Sequence, residues 1–230
     1  MSNRNAKRIV ETGRRPRGKP HPSALTLIEA ESGSLAEFER VFERSTIGII
    51  LGARGSGKTA LGLRILENIA PIRTCVALGF ERSALPRWIE PIASIDRIPE
   101  GSCVLIDEGG VLFGSRSSMT EANKILSELI LISRHKDLAI VFISQNSSNL
   151  EVNVLRQADY LLLKRSSLLQ RDFERKIVEK VYRASEKGFE KHRSIEGLVY
   201  VYSDAFTGFA RSSLPSFWAE NLSKQFRHRR

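Results

Sequence analysis

The sequence predicts a three-layer α/β domain with a mostly parallel central sheet and a C-terminal hairpin. Short apolar runs recur between residues 46 and 163, which suits strands buried on both faces. Between them stand stretches with apolar residues three and four apart, which suits helices packed on such a sheet. Strands and helices that alternate in this way imply crossover connections and helices on both faces. With 230 residues, 41% of them hydrophobic, the chain has the material for one domain of this class and its core.

Taken in order, Ser23 to Glu31 fits either a short strand or a helix start. Thr46 to Leu51 is an apolar run that ends against glycine and reads as the first core strand. Lys58 to Ala70 has helical spacing through Leu61, Ile65, Leu66 and Ile69, and Pro71 stops it. Thr74 to Leu78 is the next strand candidate, and Cys103 to Ile106 another. Thr120 to His135 reads as an amphipathic helix through Ile125, Leu126, Leu129 and Ile132. Leu138 to Ile143 and Tyr160 to Leu163 are strands. Leu168 to Gly188 reads as a long, heavily charged helix, and Leu198–Tyr202 with Gly208–Arg211 reads as the closing hairpin.

Charge divides the chain differently. Residues 1–22 hold seven Lys or Arg and one Glu, residues 223–230 hold four basic residues and no acid, and the net charge is +10. The basic excess therefore lies on the two ends, with a neutral stretch between them. Cationic ends of this kind suit contact with a polyanion, or simply solubilise the chain. The division expected is a flexible basic arm over 1–22, a domain over 23–212, and a tail over 213–230, in which Pro215-Ser216-Phe217-Trp218 is an apolar anchor. No apolar run reaches the length of a membrane span, and residues 1–22 lack the apolar centre of a secretory signal. Cys75 and Cys103 sit in apolar runs and read as buried strand residues of an intracellular protein.

The chemistry concentrates at strand ends. Gly52-Ala53-Arg54-Gly55-Ser56-Gly57-Lys58-Thr59 fits G-x-x-x-x-G-K-[ST], placed between a strand and a helix as its mechanism requires. Glycines let the backbone curl into a nest of N–H donors around phosphates, and the helix N-terminus adds its positive end. Lys58 is the expected partner of the β- and γ-phosphates, and the Thr59 hydroxyl of Mg²⁺. Val104-Leu105-Ile106-Asp107-Glu108 delivers two acids to the end of a strand. Asp107 is expected to hold the metal, and Glu108 to orient or deprotonate the attacking water. The ligands implied are ATP and Mg²⁺. An acid next to the metal aspartate points to the branch of these domains with an extra strand between the two motif-bearing ones, and Thr74–Leu78 is the candidate for it. Gln145, closing the strand before it, suits a γ-phosphate sensor or a plain turn. Arg134, in Ser133-Arg134-His135-Lys136, suits either a helix cap or a cation offered to a neighbouring subunit.

Taken together, Gly52–Thr59, Leu105-Ile106-Asp107-Glu108, Ser133-Arg134-His135-Lys136 and Ile143-Ser144-Gln145 resemble the FtsK–HerA superfamily of P-loop ATPases over about residues 45–165. The resemblance implies a RecA-like fold, ATP hydrolysis to ADP and phosphate, and a hexameric ring with double-stranded DNA in its channel. It also implies a sensor role for Gln145 and an in-trans role for Arg134. The compact form is similar to the small genome-packaging ATPases of membrane-containing tailless viruses. That implies a cytoplasmic or virion-associated homo-oligomer whose partners are double-stranded DNA and capsid or membrane proteins of a virion. On this reading Gly114 to Ser118, with Arg116, and the basic tails are the DNA-gripping candidates. Two other readings stay open: a non-translocating assembly or export ATPase similar to zonular-occludens-toxin-like proteins, and a regulatory NTPase of a mobile element.

Overall fold

A computed structural model describes residues 18–108, 119–167 and 173–218. Its strands are β1 (Thr26–Gly33), β2 (Thr46–Leu51), β3 (Cys75–Leu78), β4 (Ile89–Ile92), β5 (Cys103–Asp107), β6 (Ala139–Ile143), β7 (Tyr160–Leu163), β8 (Leu198–Ser203) and β9 (Phe206–Arg211). Its helices are α1 (Leu35–Glu39), α2 (Lys58–Ile69), α3 (Met119–Ser133), α4 (Val152–Arg156) and α5 (Lys176–Lys191). All nine strands form one sheet in the order β1-β9-β8-β7-β2-β6-β5-β3-β4. The run from β7 to β4 is parallel, whereas β8, β9 and β1 join it antiparallel.

Alternation along the strands sorts the core into two layers. Ile49, Val104, Ile140, Phe142 and Leu161 face one way and pack with Leu126 and Leu129 of α3 and Val178 and Val181 of α5. Ile50, Leu105, Val141, Ile143 and Leu162 face the other way and pack with Leu61, Ile65 and Leu66 of α2 and Phe38 of α1. Pairing is in register, with Ile50 beside Ile143 and Ile143 beside Asp107, while Leu51 lies beside Leu163. The C-terminal ends of β2, β5, β6 and β7 therefore lie level along one edge.

The structure corrects several expectations. The strand between β2 and β5 is β6, whereas Cys75–Leu78 lies on the far side of β5. Chain order misleads here because a parallel strand reaches its place by a crossover, and the crossover through α3 returns to the gap. Ser23–Glu31 resolves into strand β1, which pairs with β9. The charged helix begins at Lys176, with residues 168–172 outside the described residues. Strand β4 went unread because Pro91 interrupts it. It ends the sheet, where a missing N–H is tolerated. Cys75 and Cys103 are buried free thiols, paired in register on β3 and β5. Phe217 and Trp218 pack against the α2-side core, as expected of an anchor, with the Phe217 ring set edge-on to Trp88 at 5.5 Å. Among the described residues no helix is long and apolar enough to cross a membrane.

Gly48 shows how tightly this face is packed. It pairs with Tyr160, and a Cβ on Gly48 would stand 1.8 Å from that ring. Phe38 and Phe42 hold the ring edge-on at 5.3 and 5.4 Å, so it has nowhere to retreat. Gly48→Ala is expected to destabilise the fold by about 1–3 kcal/mol, the usual cost of overpacking. Urea unfolding measures this; an unchanged midpoint would show that the aromatic cluster yields freely.

Candidate nucleotide-binding site

β2 ends at Leu51 and the chain turns through Gly52–Thr59 directly into α2. Gly55 and Gly57 take φ of 77° and 90°, a region that glycine enters without steric cost. These turns start the helix at Lys58 with no side-chain cap on its first N–H groups. Uncapped N–H groups beside a concave loop form an anion site. The Ser56 hydroxyl is buried inside the loop with no partner. An orphaned donor here fits a phosphate oxygen.

The Lys58 ammonium is folded back into its own loop, donating to the carbonyls of Gly52 at 2.6 Å and Ala53 at 2.9 Å. Burial pushes its pKa down to about 8, opposed by the negative charges of Asp107, Glu108 and Glu174. The Thr59 hydroxyl donates to Asp107 at 3.1 Å, joining the helix start to the tip of β5. A hydroxyl and a carboxylate side by side are hard oxygen ligands that suit Mg²⁺ carried in on phosphates. No cluster of three or more acidic, His or Cys ligands stands ready for a metal among the described residues. Thr59 and Asp107 are the two described groups here that could hold such an ion.

Glu108, one residue past β5, is buried, and the Ser144 hydroxyl donates to it at 2.6 Å. Ser144 follows β6, so the strand inserted between β2 and β5 supplies the group that orients Glu108. The structure thus brings together Gly52, Ala53, Arg54, Gly55, Ser56, Gly57, Lys58, Thr59, Asp107 and Glu108. Gln145 follows Ser144 and is exposed at the same edge. Arg134 lies elsewhere: it follows α3, exposed, where Leu138 hydrogen-bonds Thr46 at the start of β2. It stands at the opposite edge of the sheet from its own chain's phosphate loop. The Gly114–Ser118 loop lies outside the described residues.

Three residues at this edge were not singled out from the sequence. Glu174 is buried and accepts from the Ser147 backbone N–H at 2.7 Å and from the Ser147 hydroxyl. Arg175 beside it donates to the carbonyls of Ser147 at 3.1 Å and Leu150 at 3.0 Å, which fixes the loop after β6. Both had been absorbed into the expected charged helix. Lys164 follows β7 and is only 4% exposed. Its side chain runs beneath the phosphate loop, with Cβ 2.6 Å from where a Gly52 Cβ would be, and its amine donates to Leu198 at 2.7 Å. A lysine directly after an apolar strand, at the sheet edge that also carries Glu108, was the available signal.

A solved structure shares this fold. The genome packaging NTPase B204 from Sulfolobus turreted icosahedral virus 2, in complex with sulfate, superposes with a TM-score of 0.50 at 14% identity, covering 74% of this chain and 98% of that one. The pCW3 conjugation coupling protein TcpA gives 0.48 at 12% identity over 81% of this chain and 65% of its own. EssC (ATPases 2 and 3) from Geobacillus thermodenitrificans gives 0.44 at 9% identity over 92% and 52%. The three-layer P-loop ATPase fold expected from the sequence is the fold found. No family model matches the chain, and no curated protein matches it in sequence.

Lys164 yields a prediction with a definite sign. Burial pushes its amine down from 10.5 to about 8. Between those values the unfolded chain binds more protons, so this residue's cost is full below pH 8 and fades as pH rises to 10.5. Lys164→Met is expected to raise stability at pH 7 by about 1–3 kcal/mol and to flatten the rise between pH 8 and 10.5. Denaturant unfolding across that range reads it. A variant whose stability climbs as steeply as the parent's would show that Lys164 is well solvated.

Proposed function

We propose that this chain hydrolyses ATP and uses the energy to move double-stranded DNA, in its most specific form loading a viral genome into a capsid. The observation that carries the hydrolytic part is the convergence of Lys58, Thr59, Asp107 and Glu108 at one sheet edge, with Ser144 orienting the glutamate. The fold shared with a genome packaging NTPase and the basic chain ends favour DNA as the cargo.

The chain's own groups divide the work. Lys58 exchanges the Gly52 and Ala53 carbonyls for β- and γ-phosphate oxygens, which satisfies a charge that burial leaves expensive. Backbone N–H groups of the loop and the Ser56 hydroxyl hold the remaining oxygens. Thr59 and Asp107 would hold Mg²⁺, which when bound supplies positive charge to the phosphate oxygens. Glu108, oriented by Ser144, takes a proton from a water that attacks the γ-phosphorus as the bond to the ADP oxygen breaks. Gln145, at the same edge, is assigned to sensing the γ-phosphate.

Arg134 gives the reading its quaternary form. A cation at the far edge of the sheet serves a phosphate loop only if that loop belongs to another subunit. We therefore assign it to a neighbour's γ-phosphate in a homo-oligomeric, hexameric ring. The ring acts in the host cytoplasm or on the virion, against capsid or membrane proteins.

Three substitutions test the hydrolytic site. Lys58→Ala is expected to abolish most ATP binding. Glu108→Gln is expected to bind ATP and lower turnover by about 10²–10⁴-fold. Ser144→Ala, which removes one hydrogen bond to a carboxylate, is expected to lower kcat by about 10- to 100-fold with KM little changed. Steady-state kinetics with and without duplex DNA reads all three. Parent-rate turnover by Glu108→Gln sinks the base assignment, and hydrolysis indifferent to duplex favours the assembly-ATPase reading.

Arg134 is tested by mixing. Arg134→Ala and Glu108→Gln subunits, each weak alone, are expected to regain activity when combined, because mixed interfaces pair an intact arginine with an intact glutamate. Full-rate hydrolysis by a monomer, independent of concentration, would exclude the in-trans role.

A further inference from the structure

The phosphate loop rests on a second buried lysine that no step of the proposed hydrolysis uses. Lys164 leaves the tip of β7, and its backbone N–H donates to the Leu51 carbonyl at the end of β2 at 2.8 Å. The carbonyl of Arg165 then accepts from the Ala53 N–H at 3.0 Å, so backbone pairing continues past both strands into the start of the loop. The lysine stem runs along the loop from one end to the other. Its Cβ stands 2.6 Å from where a Cβ on Gly52 would be, and its Cε 3.7 Å from where one on Gly57 would be. Gly52 opens the motif, and Gly57 directly precedes Lys58 at the start of α2.

The charge balance of this lysine is unusual. Its residue is only 4% exposed, and among the described residues its amine has one partner, the Leu198 carbonyl at 2.7 Å. Desolvation alone moves its pKa, and no carboxylate opposes that shift. Lys58, also buried, differs: Asp107, Glu108 and Glu174 all act on its amine. An ammonium held by one carbonyl keeps much of its desolvation cost, which an apolar side chain in the same space would not incur. The fold therefore carries an unanswered positive charge against the part of the chain best suited to hold an anion. The edge also has use for one. Its three buried carboxylates outnumber Lys58, and a triphosphate adds further negative charge. At an effective dielectric of about 20, a unit charge about 8–10 Å away still shifts a binding equilibrium by more than about 10-fold.

We propose that Lys164 is a second cation of the nucleotide site, which raises affinity for the polyphosphate through the loop and without touching it. This rests on the nucleotide reading of the loop. Lys164 is a positioning residue: its stem supports the span from Gly52 to Gly57, and its charge, unanswered in the free chain, is answered by bound phosphates. Because it acts by charge, its share grows with the charge of the nucleotide. The competing role is a crosslink between β7 and β8 through Leu198, which serves the fold and is indifferent to nucleotide.

Lys164→Met keeps the length of the stem and removes the charge. Calorimetric titration of parent and variant at pH 7 with the non-hydrolysable analogue AMPPCP, and separately with ADP, reads affinity without turnover. The variant is expected to lose about 10- to 100-fold for AMPPCP and a smaller factor for ADP. Urea unfolding is expected to show it at least as stable as the parent, and a gain in stability with a loss of affinity is a pairing that a crosslink does not give. Lys164→Gln, neutral and still a donor, is expected to lose affinity in the same graded way; parent-like affinity in it would assign the effect to the bond with Leu198 and overturn the proposal. Equal losses for the two nucleotides would show that the stem and not the charge matters, which also overturns it. Unchanged affinity for both leaves Lys164 a crosslink, and the nucleotide reading stands. A parent chain that binds neither nucleotide takes both down.

Discussion

Insertion of β6 between β2 and β5 is the constraint on which the rest of the molecule depends. It sets the two motif-bearing strands one strand apart and brings a third strand tip between them. Register does the rest: Ile50, Ile143 and Asp107 lie side by side, so the phosphate loop, the Ser144 turn and the two acids leave the sheet at one level. A slip of one residue in β6 would turn its core face outward, and both hydrophobic layers oppose that. Core packing, more than local turn preference, therefore fixes where Ser144 stands against Glu108.

The same edge gathers charges that folding alone would not favour. Lys58, Lys164, Asp107, Glu108 and Glu174 are all buried there. The lysines answer to backbone carbonyls, and desolvation dominates both amines. A buried ammonium satisfied by one or two carbonyls keeps much of its desolvation cost. Such a site is incomplete without an anion, in the sense that bound phosphate lowers a cost already present. At the far end of α2 the arrangement is the reverse. Arg64 and Glu67 are paired with each other and with the backbone of both chain ends. One end of the helix is left open to a ligand, while the other is closed on the chain itself.

How much of this was legible in the sequence depended on how local the cause was. The phosphate loop, its strand and its helix were readable because eight consecutive residues carry the whole conformation. Tyr160–Leu163 and Ala139–Ile143 were readable as strands because both faces are buried and the runs are unbroken. The place of β6 in the sheet was not readable from chain order, because a crossover carries it past its neighbours. Glu174 was hidden inside a stretch of charge, since a carboxylate that answers to a loop 27 residues away looks the same in sequence as one that faces water. Arg64 and Glu67 were hidden for a related reason. Spaced three apart on a helix they look like an ordinary surface pair, and only the fold places two distant segments over them.

The position of Arg134 bears on how the proposed machine divides its surfaces. The edge carrying Lys58 and Glu108 and the edge carrying Arg134 are separated by the length of the strands. The sheet is packed on both faces, so the strands and their two core layers hold the two edges apart within one chain. Under the proposed in-trans role of Arg134, one subunit's loop edge would meet another's Arg134 edge, a head-to-tail contact of the kind that closes into a ring. In that arrangement α2 lies between two demands. Its first turn would face the nucleotide, and its last turns hold the segments at His21 and Ser216. α2 packs against β5 and β6 as one continuous helix, so the turn that begins at Lys58 and the pair Arg64–Glu67 belong to a single element.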